Sequence, residues 1–155
     1  MINCDAIIRI FTGFTGAIGF GIMFNVRGKK LILASLGGLV ATFLFEIFVC
    51  MKIGEALACF YVATLITLYS EILARLVKTP TTTFIMTSLV PLIPGGALYY
   101  AMANALKKDW ILFFDYAYYA IKIALGISVG IIVTTTMFQL VLFIIYSINK
   151  KHKNI

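Results

Sequence analysis

The sequence predicts an all-α protein, a polytopic membrane helical bundle of about five transmembrane helices, and three observations carry this prediction. Of its 155 residues, 62% are hydrophobic and only 12% are charged, and the mean hydropathy is +1.03. Soluble domains typically carry about 25% charged residues, so a soluble fold is excluded. Apolar runs of roughly 20 residues, the length that one bilayer crossing needs, follow one another along nearly the whole chain. We therefore predict a single transmembrane domain over residues 1–155.

Five spans are predicted because each apolar run stops where charged residues begin, and a charged side chain is costly in hydrocarbon. The first run carries an early cation, Arg9, whose long stem can bring the guanidinium to the interface, and it ends at the basic residues 27–30. The second run stops at Lys52 and the third at the polar hinge 75–83. The predicted spans cover residues 6–26, 31–51, 56–74, 84–106 and 123–148.

The segment before the last span, residues 110–122, has a different composition. It contains six aromatic residues together with Asp115 and Lys122. Amphipathic aromatic rings concentrate at the boundary between water and hydrocarbon. The sequence therefore predicts an interfacial segment over 110–122, followed by the uncharged last span and a basic tail.

The fourth span contains the most informative motif of the chain, Leu-Val-Pro-Leu-Ile-Pro-Gly-Gly-Ala-Leu-Tyr-Tyr at Leu89–Tyr100. Two prolines remove backbone donors and two glycines ease non-helical dihedrals, so the motif predicts two half-helices; the alternative is a simple proline kink. Secondary transporters form midplane substrate sites from such broken helices, and the start of the second half suits a carboxylate. The candidate substrate-binding residues are Pro91, Pro94, Gly95, Gly96, Tyr99 and Tyr100, with the tyrosines offering hydroxyls or a stacking face.

Three charged residues inside or beside the spans are candidates for proton coupling. Glu71 and Arg75 are four residues apart, so they share one face of the third helix. An intramembrane carboxylate often marks a proton or ion path, although a salt bridge that anchors the helix end is the competing interpretation. Glu46 is a second candidate, and its only sequence-local partner is Lys52.

Small residues recur at a spacing of four and place a narrow face on several helices. Such faces let a neighbouring backbone approach closely, so their first interpretation is tight helix packing. Their number exceeds what five helices can mutually bury, which predicts a hetero- or homo-oligomer. The predicted packing residues are Gly13, Ala17 and Gly21 in the first helix and Gly126 and Gly130 in the last, with further sets at Ala34, Gly38 and Thr42 and at Ala120, Ala124 and Ser128.

The distribution of charge predicts orientation and excludes several classes of function. The net charge of +7 comes from residues between apolar runs and in the tail, which indicates membrane orientation and no nucleic-acid partner. Eight cations on one side against five on the other predict a cytoplasmic C-terminus and an external N-terminus. The cysteines form no CxxC pair and the sole histidine, His152, lies in the tail, so we expect no metal site and no cofactor.

Three segments together resemble the threonine/serine exporter family, in particular its small, separately encoded membrane subunit. They are Gly-Phe-Gly-Ile-Met-Phe-Asn at Gly19–Asn25, Ser-Glu-Ile-Leu-Ala-Arg at Ser70–Arg75, which leads to Thr79 and Pro80, and Val90–Tyr100. The resemblance implies one part of a bacterial inner-membrane exporter whose larger membrane subunit is its partner. It also implies proton-motive-force-dependent export of small carboxylate solutes, threonine and serine and in some members succinate. No family substrate residue is transferred to this chain.

Three other functions are alternatives to an exporter. A channel belongs to the same class, and a non-transport scaffold or assembly subunit would use the glycines for packing alone. A membrane enzyme is the least favoured alternative, because the chain has no GxSxG motif, no paired intramembrane aspartates and no cluster of metal ligands.

Overall fold

The computed structural model describes residues 4–153, with side chains described from residue 6 to residue 147, and throughout that part it is helical with no strand. The side chains of Cys4 and of the basic tail with His152 lie outside this range. The predicted all-α membrane bundle is confirmed. The helices are α1 (Cys4–Met23), α2 (Lys29–Cys50), α3 (Glu55–Leu76), α4 (Thr81–Leu89), α5 (Gly95–Leu106) and α6 (Trp110–Lys153).

Four of these helices, α1, α2, α3 and α6, are long and apolar enough to cross a membrane, and α4 with α5 supplies a fifth crossing if the bent pair is one span. Helices α2, α3 and α4 pack on one another at the centre of the bundle. Helix α1 packs on the outside of α2, and α6 packs along both α3 and α5. The central core contains Ala41, Cys59, Val62, Ala63, Ile66, Ile85, Leu89, Leu92 and Ile123.

Two hydroxyl groups, that of the buried Ser88 and that of the half-buried Tyr69, fix the central helices on α2. The Ser88 hydroxyl of α4 donates to the carbonyl of Ala34 at 3.0 Å, and the Tyr69 hydroxyl of α3 donates to the carbonyl of Leu33 at 2.9 Å. A buried hydroxyl is costly without a partner, so both bonds favour one register of these helices on α2.

Four helix ends share a left-handed residue. Asn25, Lys52, Lys78 and Lys108 follow α1, α2, α3 and α5 with φ between 50° and 60°. The left-handed conformation lets the next amides bond back to the last turn and so terminates a helix. The cations that delimit the predicted spans therefore lie where the helices end.

Helices α4 and α5 meet at a bend of 61°, so the predicted break in the fourth span is confirmed. A 3-10 turn over Val90–Leu92 follows α4, Ile93 is extended, and Pro94 precedes the first residue of α5. Pro91 lies beside Gly38, close to the middle of α2, where a Cβ on Gly38 would be 3.7 Å from the proline Cγ. The break therefore lies near mid-height of the bundle.

Helix α6 is continuous over 44 residues, about 66 Å at the rise of an α-helix, so the predicted interfacial segment 110–122 and the predicted span 123–148 belong to one helix. No glycine or proline interrupts the helix between them. It runs parallel to α3, with Gly126 against Ala56 and the Phe138 ring beside Arg75. Residues 110–125, which we call the α6 overhang, extend about 24 Å beyond the start of α3 and pack on α5.

The five predicted packing residues lie against neighbours inside the chain. A Cβ on Gly13 would meet Thr42, the fully buried Ala17 lies against Gly38, and a Cβ on Gly21 would meet Leu31. A Cβ on Gly126 would lie 2.5 Å from the Ala56 carbonyl oxygen, and one on Gly130 would lie 2.8 Å from that of Phe60. These two small-residue faces are used within the bundle. The set Ala120, Ala124 and Ser128 is different, since Ala124 is exposed and all three residues line an open apolar groove beside α5.

Candidate functional site

Two adjoining cavities lie beside the helix break. Their volumes are about 380 and 450 Å³, within the range of roughly 300–1,000 Å³ that small-molecule sites occupy. They share Arg9, Thr42, Phe45 and Pro91, so they form two lobes of one site at the meeting of α1, α2 and the 3-10 turn. The first lobe adds Thr12, Gly13, Gly16, Glu46 and Val90, and the second adds Cys59, Leu92, Ile93, Pro94, Gly95, Gly96, Ala97, Tyr119 and Ile123.

Four of the six predicted substrate-binding residues line this cavity: Pro91, Pro94, Gly95 and Gly96. Tyr99 and Tyr100 are not among its lining residues. Both tyrosines are exposed, and the Tyr100 ring stacks on Tyr116 of α6 with centroids 5.4 Å apart.

The tyrosine that does reach the cavity is Tyr119 of the α6 overhang. Its hydroxyl donates to the Glu55 carboxylate at the start of α3. The sequence places Tyr119 only in an aromatic-rich segment, because its position opposite α3 depends on the continuity of α6.

The start of α5 leaves polar backbone groups at the cavity. The Gly95 amide donates to the Ile93 carbonyl at 2.7 Å, and the Leu98 amide donates to the Pro94 carbonyl at 3.1 Å. Among the described residues, the amides of Gly96 and Ala97 have no acceptor, as is usual in the first turn of a helix. A Cβ added to Gly95 or Gly96 would meet nothing within 4 Å, so this turn is open to the cavity.

An ion pair that the sequence analysis missed crosses the first lobe. Arg9 Nη1 lies 3.5 Å from Glu46 Oε1, and the two side chains are 69% and 16% exposed. They are 37 positions apart, so no local spacing reveals the pair. The sequence could still have indicated the pair, because consecutive spans are antiparallel. A charge near the start of α1 then lies at the same height as a charge near the end of α2.

The Glu71–Arg75 pair lies elsewhere in the bundle. Glu71 is buried, its Oε2 lies 2.7 Å from Arg75 Nη1, and the Thr81 hydroxyl of α4 donates to the same oxygen at 3.5 Å. The Arg75 guanidinium also lies 4.5 Å from the centroid of the Phe138 ring. The predicted i,i+4 contact therefore exists, and it joins α3 to both α4 and α6.

Glu71 is about 18 Å further along α3 than Cys59, which lines the cavity. Two buried hydroxyls beside it on α3, those of Thr67 and Ser70, have no hydrogen-bond partner among the described residues. Buried polar groups are normally satisfied, so a water molecule is expected near this cluster. Glu71 and the cavity are thus two separate polar regions of one bundle.

The cavity can hold a small solute that carries charge. Its walls combine the apolar surface of Phe45 and the prolines with a cation, a carboxylate and two free amides. An anionic group can accept hydrogen bonds from Arg9 and from the start of α5, whereas a cationic group can donate to Glu46.

Comparison with known proteins gives one match. A family model described as "Threonine/Serine exporter, ThrE" matches residues 9–137, well over half of the chain. The matched region begins at Arg9 and includes every residue that lines the cavity. No curated protein and no solved structure matches the chain significantly.

Proposed function

We propose a function from one premise, which is that the chain belongs to the threonine/serine exporter family. In this proposal, the chain is a subunit of a secondary transporter that exports small carboxylate-bearing metabolites. The family is one of transporters and not of enzymes. Threonine and serine are the proposed solutes, with succinate a further member of the same chemical class. The observation that carries the proposal is the cavity at the helix break, which lies wholly within the matched region.

The proposed substrate path passes the break. Secondary transporters bind solutes near mid-membrane where a helix is interrupted, because the freed backbone groups can hydrogen-bond the solute. Here Pro91 and Pro94 line the wall, and Gly96 and Ala97 present their amides. A carboxylate at this turn would also interact favourably with the positive end of the α5 dipole.

A larger exporter-family subunit is the proposed partner, in the bacterial cytoplasmic membrane with the N-terminus outside and the C-terminus inside. The support is the exposure of Arg9, which lies within a helix apolar enough to span the bilayer. A cation facing hydrocarbon is costly, so a second chain that covers this face would lower the free energy of insertion.

Glu71 is the proposed proton-coupling residue, with Glu46 as the second candidate. An ionised Glu71 holds Arg75 and accepts from Thr81, whereas a protonated Glu71 would release Arg75. Protonation would also take the charge from the acceptor of the Thr81 hydroxyl, and so weaken this hydrogen bond between α3 and α4, the helix that leads to the break.

Flux measurements in proteoliposomes test this function. We expect a pH gradient to drive the flux of threonine and serine through the chain with its larger subunit. Glu71→Gln should keep the flux down a solute gradient but lose its dependence on the pH gradient. Asp115→Asn, which removes an exposed carboxylate of α6, is the matched control and should keep both. Absence of flux for all three solutes in the wild-type complex would overturn the proposed function.

A purely structural Glu71–Arg75 bridge predicts a different pattern. Either single substitution would lower the yield of complex, and the charge-swapped pair Glu71→Arg with Arg75→Glu would restore it. Unchanged gradient dependence in Glu71→Gln would move the coupling role to Glu46 or to the partner.

A further inference from the structure

We infer that Arg9 and Glu46 form a recognition pair for the two charged groups of an α-amino acid, with Arg9 binding the carboxylate and Glu46 the ammonium group. The inference rests on the proposed function and names its substrate class as a zwitterion. It also assigns specificity to two residues that lie on different helices.

The geometry of the pair leaves both groups able to bind a solute. The single contact of 3.5 Å is longer than the 2.7–2.9 Å of a strong charge-assisted hydrogen bond. Within residues 6–147, Arg9 donates no other side-chain hydrogen bond, so most of its five N–H donors remain available. A solute carboxylate can take the guanidinium fork in a bidentate arrangement while an ammonium group takes the Glu46 oxygens.

The location of the pair connects it to the helix break. Arg9 and Pro91 line both lobes of the cavity, and Glu46 lines the first lobe. Glu46 is largely buried, whereas Arg9 is largely exposed. The cation therefore lies on the open side of the cavity and the carboxylate lies deeper.

The charge balance of the site discriminates between solute classes. The charges of Arg9 and Glu46, the two charged residues among those that line the cavity, sum to zero. A bound zwitterion leaves this sum unchanged. A dicarboxylate such as succinate would bring two negative charges to one cation and place one of them near Glu46, and like charges in a partly dry site repel strongly. The pair therefore favours threonine and serine over succinate.

The cavity also offers hydroxyl oxygens for the side chain of such a solute. The Thr42 hydroxyl donates to the carbonyls of Gly38 and Leu39, and the Thr12 hydroxyl donates to those of Ile8 and Arg9. Their protons are thus occupied, while their oxygen lone pairs can accept. A solute hydroxyl would be held as a donor.

Equilibrium binding to the purified chain, alone and with the larger subunit, tests the pair separately from transport. The probes are threonine, N-acetylthreonine, which lacks the ammonium group, threonine methyl ester, which lacks the carboxylate, and succinate. We expect the wild type to bind threonine at least about tenfold more tightly than the other three probes. Each of these lacks either the ammonium group or the free α-carboxylate, and with it the hydrogen bonds to Glu46 or to Arg9.

The variants assign the two roles. Glu46→Gln should weaken the binding of threonine about tenfold or more and leave the binding of N-acetylthreonine unchanged. Arg9→Gln should weaken the binding of threonine and leave the binding of the methyl ester unchanged. Arg9→Lys, which keeps the charge, should recover part of the affinity. Lys52→Gln, an exposed cation beyond the end of α2, is the control and should bind all probes as the wild type does.

An ion pair that only stabilises the fold gives the opposite result, namely equal loss for every probe in proportion to the loss of folded protein. That result, or no threonine binding by the wild type in either preparation, would overturn the inference. Flux without such selectivity would leave the proposed function standing and remove the recognition pair.

Discussion

Glycines in this chain differ in what surrounds them, and the difference separates packing positions from open ones. A Cβ on Gly126 would lie 2.5 Å from the backbone oxygen of Ala56, which cannot rotate away. A Cβ on Gly19, in the second half of α1, would meet nothing within 4 Å. Both residues occupy helix interiors, so they gain the same helix propensity on substitution by alanine.

The first prediction compares Gly126→Ala with Gly19→Ala. We expect Gly126→Ala to be less stable than Gly19→Ala by about 1–3 kcal/mol, because the added methyl forces α6 away from α3. Gly19→Ala should unfold as the wild type does or at a slightly higher temperature. Thermal unfolding in detergent, followed by circular dichroism, measures the difference; equal midpoints would show that α6 moves off α3 without cost.

Sequence reasoning succeeds at the residue scale where partners are local. Glu71 and Arg75 are one helical turn apart, so helix geometry alone brings them together. Arg9 and Glu46 meet only because α1 and α2 pack antiparallel, and Tyr119 reaches Glu55 only because α6 is continuous. Such contacts depend on tertiary geometry, which periodicity does not contain.

At the scale of elements, the break between α4 and α5 could be predicted because proline and glycine act on the backbone locally. The extent of α6 could not be predicted in the same way. Aromatic residues with Asp115 and Lys122 indicate a change of environment over 110–122, but a change of environment does not end a helix. The 22 residues from Gly126 to Ser147 contain no charge and measure about 33 Å, enough for one crossing.

The second prediction concerns the α6 overhang. If residues 126–147 cross the bilayer, the overhang must leave the hydrocarbon on the side where α1 begins, because α1, α3 and α6 run parallel. In a variant with Cys4, Cys50 and Cys59 replaced by serine, Tyr118→Cys should react with a membrane-impermeant maleimide added to intact cells. Val133→Cys, also exposed in the structure but about 22 Å further along α6 and within residues 126–147, is the control and should stay unlabelled.

The labelling pattern also tests the predicted orientation. Labelling of Tyr118→Cys only in inverted vesicles would place the N-terminus in the cytoplasm and reverse the positive-inside assignment. Rapid labelling of Val133→Cys would show that residues 126–147 are not the crossing.

At the scale of the whole molecule, the exposed face of α1 carries the strongest indication of a partner. Large apolar side chains are exposed on every long helix, which lipid alone accommodates. Arg9 is different, since it is a cation in the second turn of a spanning helix, its side chain is 69% exposed, and it lines an open cavity. An uncovered apolar groove, such as the one that Ala120 and Ala124 line beside α5, can be filled by lipid, whereas the charged face of α1 cannot.

The last prediction follows from that face. A photo-crosslinking amino acid at Thr12, which is exposed and lines the cavity one turn from Arg9, should form a protein adduct in the membrane. The same group at Leu140 of α6, exposed but remote from the cavity, should react mainly with lipid because the exposed α6 side chains around it, such as Met137 and Ile144, are apolar. The adduct mass separates the larger subunit from a second copy of this chain. The absence of a protein adduct at Thr12, or full transport by a purified monomer, would show that α1 needs no partner.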